Sequence, residues 1–163
     1  MSKHKQWLTP PYLIESARLV LGEIDCDPAT CLQAQKTINA ATYYTKQDNG
    51  LVHPWSGRVW INPPYNAPWM GRFVDKLLDH LQKSDVTAAI LMCNNATDTS
   101  WWQKAIGLAS GICFAKGRIA SRDEYDVLGP SPPKGHNFFY FGPAAITFLQ
   151  EFKKYGATLT LGR

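Results

Sequence analysis

The chain has no long hydrophobic run. Its longest nearly apolar stretch covers residues 138–149, and Gly142, Pro143 and Thr147 interrupt it. A membrane span needs about 20 apolar residues, so no membrane-crossing helix is expected. The opening residues Met1, Ser2, Lys3, His4, Lys5, Gln6 and Trp7 are basic and lead into no apolar core. That pattern argues against a secretory leader and makes a cytoplasmic location the expectation. No C-x-x-C pair is present: Cys26, Cys31, Cys93 and Cys113 stand apart, and His4, His53, His80 and His136 are scattered. Neither a zinc site nor a disulfide framework fits that spacing, so the thiols read as buried and free, and no metal is expected. There is no internal repeat and no low-complexity segment. Nor is one sign of charge in large excess. Lys and Arg number 17 against 13 Asp and Glu, a net +4 that permits a polyanionic partner without requiring one.

What is present reads as one folded unit. With 163 residues, 45% apolar and 18% charged, the expectation is a single domain over 1–163, with no separate domain for target recognition. Thr9, Pro10 and Pro11 look like a helix start with Thr9 as the cap; Leu13, Ala17, Val20 and Leu21 then share a face, and Gly22 ends the helix. Residues 23–26 read as a short strand running into Asp27, Pro28 and Ala29, with a helix at 31–38 and a weak strand around Tyr43 after it. The middle of the chain is clearer. Residues 58–61 form a strand, Met70, Phe73, Val74, Leu77, Leu78 and Leu81 form a helical stripe, and 86–92 is almost continuously apolar, as in a strand covered on both faces. Such strand–helix–strand units feed a parallel sheet. Further on come a helix to about Ala109, a strand at 111–115, a loop at 121–135 expected to be mobile, a strand at 137–141, a helix at 143–154 and an edge strand at 157–161. The alternation predicts an α/β fold with a mostly parallel sheet and helices on both faces. Ligands in such sheets bind beyond the carboxyl ends of strands, where Asp27, Asn62 and Asn94 are expected.

Asn62-Pro63-Pro64-Tyr65 is the most informative tetrapeptide. Two successive prolines fix two φ angles, restrict Asn62 before them and remove two backbone donors while keeping the carbonyls. The product is a stiff corner rich in acceptors at a strand end. An amide oxygen and a proline carbonyl can accept both hydrogens of a planar amine, and the ring beyond can stack on a flat heterocycle. Such a corner suits an exocyclic amine held for attack on an electrophilic carbon, where positioning and aimed acceptors lower the barrier.

This segment resembles the D/N-P-P-Y motif of S-adenosylmethionine-dependent amino-methyltransferases. Around it stand Trp7-x-Thr9-Pro10, Asp27-Pro28-Ala29, Asp48, Trp55, Thr97-Asp98-Thr99-x-Trp101-Trp102 and Lys116-Gly117-Arg118-Ile119. In that order, over residues 7–120, they are similar to the landmarks of the phage-type DNA N-6-adenine methyltransferase family. The resemblance implies a Rossmann-like catalytic domain that transfers a methyl group from S-adenosylmethionine to the N6 amine of an adenine extruded from DNA. It further implies that Asn62 and the Pro63 carbonyl hold the amine, with Pro64 stiffening the corner and Tyr65 stacking on the base. Asp27, Pro28 and Ala29 would line the cofactor's amino acid portion, Asp48 would meet its adenine or ribose, and Trp7, Thr9 and Pro10 would close the pocket, with Asn62 at its edge. No glycine-rich cofactor loop is present; Asp27-Pro28-Ala29 stands in its place. Lys116, Arg118, Arg122 and Lys134 are the candidate DNA contacts.

Plainer readings stand beside these. The proline corner also makes a rigid turn, Asp48-Asn49-Gly50 is a standard turn sequence, Trp101 or Trp102 can be core, and His53 and His136 can be structural. Two other functions share the corner: an amino-methyltransferase acting on protein glutamine or on RNA, and a nucleotide-binding module without turnover.

Overall fold

Pro10 and Pro11 open the first helix, α1 (Pro11–Leu21), as their fixed φ dictates, and Gly22 closes it at φ 87°. Thr9 does not cap it. The cap position is Pro10, and no side chain caps the helix. The chain is a computed structural model that describes residues 7–162; residues 1–6 and residue 163, with the basic opening segment and His4, lie outside the described residues.

The remaining elements are β1 (Cys26–Thr30), α2 (Leu32–Ile38), β2 (Thr42–Thr45), a 3-10 turn (Gly50–Val52), β3 (Gly57–Ile61), α3 (Trp69–Gln82), β4 (Val86–Asn94), α4 (Ser100–Leu108), β5 (Gly111–Ala115), β6 (His136–Phe141), α5 (Ala145–Phe152) and β7 (Gly156–Thr160). They build one seven-stranded sheet in the order β2-β1-β3-β4-β6-β5-β7. β2, β1, β3 and β4 are parallel, whereas β6 pairs antiparallel with both β4 and β5, and β7 pairs antiparallel with β5. Five strands therefore run one way and two the other, and the purely parallel part is the β2–β4 half. This is a Rossmann-like α/β fold.

From Ala88 onward the apolar run in β4 divides by parity. Ala89, Leu91 and Cys93 join one core with Phe73, Val74 and Leu77 of α3 and Trp102 and Ala105 of α4. Ala88, Ile90 and Met92 join the opposite core with Leu13, Ile14 and Ala17 of α1 and Phe148 and Phe152 of α5. A strand buried on both sides needs no polar alternation, which is why its sequence is continuous. Cys26, Cys93 and Cys113 are buried and all four thiols are free.

β1 departs most from the sequence expectation. It begins at Cys26 and runs through Asp27, Pro28 and Ala29, so Asp27 lies within the strand and not at its carboxyl end. Pro28 has no N–H to give to a ladder. The β1–β3 pairing is limited to Cys26 opposite Val59, and the β1–β2 register slips between Asp27 and Thr30. The carboxyl halves of β1 and β3 are thus freed from one another. The chain leaves β1 toward β2 on one side and reaches β3 on the other, so this gap is the topological switch point at which such sheets bind ligands. Gly50 lies so close that a Cβ there would sit 2.0 Å from the Pro28 carbonyl oxygen.

Residues 121–135 carry no helix or named strand. Their first part is tied down: Leu8 and Arg122 exchange both backbone hydrogen bonds, at 2.6 and 2.9 Å, and the Gly129 N–H donates to the Ser121 carbonyl. The ring of Trp7 lies against Gly129.

Candidate active site

A cavity of about 260 Å³ opens at the β1–β3 gap, lined by Trp7, Leu8, Thr9, Asp27, Ala29, Thr30, Cys31, Ala34, Ile38, Trp60 and Asn62. A second, of about 190 Å³, shares Leu8, Thr9, Ala34 and Ile38 with it and extends toward Lys36, Arg122, Asp123 and Asp126. Together they fall within the size range of an ordinary small-molecule site, about 300 Å³ upward.

Five residues named from the sequence meet in the first cavity: Trp7, Thr9, Asp27, Ala29 and Asn62. Pro28 is buried in β1 and Pro10 forms the buried end of α1, so both support the wall from behind. Asp48 does not reach the cavity. Its carboxylate accepts from the backbone N–H and hydroxyl of Thr45, at 2.8 and 2.7 Å, in the exposed turn after β2. Those bonds hold its carboxyl below the usual carboxylate range.

Asp27 is the unusual group. It is 1% exposed. Its carboxylate accepts from Gln35 Nε2 at 2.9 Å and from the Ala29 N–H at 3.3 Å, yet forms no ion pair with any described residue. Burial pushes its pKa up to about 7, against the pull of hydrogen bonding from the Thr30 side chain, the Ala29 N–H and Gln35. A buried carboxylate without a cation, facing a cavity, is complementary to a ligand that brings one. Trp60 and Trp7 supply aromatic surface on the same walls.

Asn62 follows β3 directly and stands on the cavity's rim. Its Nδ2 donates to Thr9 Oγ1 at 3.0 Å, which leaves Oδ1 as its open acceptor. Pro63 is buried and Pro64 exposed. Tyr65 is half-buried: its ring tilts onto His136 with centroids 5.7 Å apart, and its hydroxyl is buried with no hydrogen-bond partner among the described residues. Burial raises the hydroxyl far above the ordinary tyrosine range, so it stays a neutral phenol. An unpaired buried hydroxyl costs about 1–3 kcal/mol. Tyr65→Phe is therefore expected to stabilise the fold by about 1 kcal/mol in urea unfolding; a loss of that size instead would show a bond that the hydroxyl does make.

Sequence reasoning missed several groups in and around the site. Trp60 read only as a strand residue, and Gln35, which braces Asp27, carried no signal beyond helical spacing. His136 and Asn137 open β6 beside the proline corner. Asn137 is fully buried, its Oδ1 accepts from Trp102 Nε1 at 2.9 Å, and its Nδ2 is unpaired, as is His136 Nδ1. Burial holds His136 below its ordinary pKa, with Arg118 adding to the effect. Trp102 is thus core, as the plainer reading has it.

The four candidate DNA contacts divide. Lys116, Arg118 and Lys134 are exposed and form no ion pair with a described residue, and Arg118 Nη1 lies against Gly135 near Asn95. Arg122 is committed to Asp126, 3.3 Å away, and also donates to the Asp126 carbonyl. Among the described residues no cluster of three or more His, Cys, Asp or Glu is placed to hold a metal, and no helix is long and apolar enough to cross a membrane.

A switch-point crevice with a buried acid and an acceptor corner on its rim is the arrangement of an α/β methyltransferase. Comparison with known proteins makes the assignment narrower. The family model for DNA N-6-adenine-methyltransferase (Dam) matches residues 1–127, and the chain belongs to that family. It is 35% identical over 71 residues to YfdM of Escherichia coli (strain K12), which bears a methyltransferase name; the match covers 39% of this chain and 72% of that protein. Among solved structures, a dimethyladenosine transferase from Plasmodium falciparum aligns with 91% of this chain and 67% of its own, at 11% identity and a TM-score of 0.47.

Proposed function

We propose that this chain methylates the exocyclic N6 amine of adenine in DNA, using S-adenosylmethionine. The observation that carries the reading is the shared rim: Asn62 of the proline corner and the buried acid Asp27 line one cavity. Family membership supports the same reaction.

The walls fit the cofactor's chemistry. Its amino acid portion carries an ammonium, and Asp27 is the uncompensated acid able to meet it. Trp60 and Trp7 are suited to lie along its adenine or sulfonium. When bound, the cofactor supplies an activated methyl group, so the protein has chiefly to position and to stabilise. Asn62 Oδ1 and the Pro63 carbonyl accept from the target amine, orient its lone pair and stabilise the positive charge that grows on nitrogen. Tyr65 offers the partly open face of its ring to the extruded base, and stacking offsets the few kcal/mol that extrusion costs. The methylated amine is acidic and loses its surplus proton to water; Tyr65, a neutral phenol, takes none. Arg118 lies beside Gly135 and acts electrostatically on His136, the ring neighbour of Tyr65, and forms no ion pair with a described residue, so it is the first candidate for a phosphate contact.

The deciding experiment is mass spectrometry of nucleosides from DNA incubated with the protein and labelled cofactor. Labelled N6-methyl-2′-deoxyadenosine is expected; label in another deoxynucleoside, or none in any DNA, overturns the reading. RNA and glutamine-containing peptides in parallel reactions test the same corner on other acceptors. Arg118→Ala is expected to weaken DNA binding and to lower the slope of log K against log salt by about one. An unchanged slope removes Arg118 from the interface.

A further inference from the structure

Three buried side-chain polar atoms have no hydrogen-bond partner among the described residues: Tyr65 Oη, His136 Nδ1 and Asn137 Nδ2. All three belong to residues at the proline corner. The Tyr65 ring lies on that of His136, and Asn137 is the next residue of β6. Cys93 neighbours both: its thiol acts electrostatically on the Tyr65 hydroxyl and donates to the Asn137 carbonyl at 3.8 Å. Folds seldom leave a buried polar group unpaired, and several in one place call for a cause.

Two of these atoms are complementary. An indole N–H only donates, so the bond from Trp102 Nε1, at 2.9 Å, has to end on the Asn137 amide oxygen. The amide nitrogen is therefore the free end, and it can only donate. The Tyr65 hydroxyl is a neutral phenol whose oxygen can accept. The setting of the amide is inherited from α4, where the Thr99 cap accepts from the Trp102 backbone N–H. The Thr97-Asp98-Thr99-x-Trp101-Trp102 segment lines neither cavity, and holding Asn137 gives it a role at the corner. We infer that Asn137 is a positioning residue for Tyr65: when an extruded base stacks on the open face of the ring, the Asn137 amide donates to the Tyr65 hydroxyl and holds the ring against the base. In the free protein the two groups stand unpaired, so their bond forms only in the complex and favours the state with the base in place. The inference rests on the methyltransferase reading for the base, and on the unpaired atoms for the pair.

A double-mutant cycle tests it. Tyr65→Phe keeps the ring and deletes the hydroxyl, and Asn137→Leu keeps the volume and deletes the donor. On DNA with saturating cofactor each is expected to lower kcat/KM about tenfold, and the double variant about tenfold as well. The Trp102 N–H that Asn137→Leu leaves unpaired enters both arms of the cycle and cancels. Urea unfolding of the ligand-free proteins should show no coupling between the same two changes. Nuclear magnetic resonance on 15N-labelled protein adds a reading that needs only wild type and Tyr65→Phe. When a DNA duplex and S-adenosylhomocysteine are added, one Asn137 Nδ2 proton should move downfield in wild type and stay in place in Tyr65→Phe. Losses that multiply to about a hundredfold in the double variant overturn the inference. So does an unmoved proton in wild type, or a coupling already present in the ligand-free fold. A wild type that transfers no label to any DNA removes the functional reading and this inference with it, whereas transfer with multiplying losses removes this inference alone.

Discussion

Asp27→Asn is expected to weaken S-adenosylmethionine binding by about 100-fold or more while making the ligand-free protein more stable. Both effects follow from one buried carboxylate. It sits in β1 at 1% exposure with Thr30, Gln35 and the Ala29 N–H as its donors and no ion pair to a described residue. Removing one member of a desolvated charge pair costs about 2–5 kcal/mol of binding. In the free protein, by contrast, the charge is a burden. Its pKa rises from 3.8 to about 7 because burial disfavours the ionised form. An acid whose folded pKa is raised contributes full stability below the unfolded value and loses it as pH climbs through the folded value. Asp27 should therefore cost the free fold up to about 4 kcal/mol between pH 4 and pH 8, and Asp27→Asn should remove that dependence. Denaturant unfolding at pH 5 and pH 8 measures it. Calorimetric titration with the cofactor should show wild-type affinity about tenfold lower at pH 6 than at pH 7.5, and no such change in the variant. A variant that binds as tightly as wild type would place the ligand's cation elsewhere.

This opposition explains part of what the sequence did and did not disclose. The β3–α3–β4 unit was legible because burial on both faces writes a continuous apolar run, and a single stripe writes a helix. The proline corner was legible because its backbone restriction is local. The setting of Asp27 was not. Asp and Pro both read as the end of a strand, and only the three-dimensional sheet reveals that Pro28 stops the β1–β3 ladder and so opens the crevice. The position of β6 was equally hidden, since an antiparallel insertion between β4 and β5 depends on pairing across distant segments. Thr9 illustrates the same limit. Local pattern assigns it to the helix that follows, whereas its hydroxyl serves a residue 53 positions away. Asp48 errs in the other direction: the turn chemistry visible in Asp48-Asn49-Gly50 is what its carboxylate performs.

Asn62→Ala is expected to lower kcat by about a thousandfold or more with a much smaller change in cofactor affinity. The asymmetry comes from where the residue stands. The cavity wall also includes Asp27, Trp60, Trp7 and other residues besides Asn62, which has one acceptor open. Loss of that acceptor leaves the cavity standing but deprives the incoming amine of both orientation and charge stabilisation, each worth several kcal/mol in a dry site. Asn62→Asp restores an acceptor in either orientation and should recover a substantial part of the loss, whereas Asn62→Leu, which fills the volume without an acceptor, should not. Single-turnover kinetics with labelled cofactor separate the chemical step from binding and release. If Asn62→Leu turned over like Asn62→Asp, volume at the corner would matter and the acceptor would not, and the Pro63 carbonyl alone would have to hold the amine.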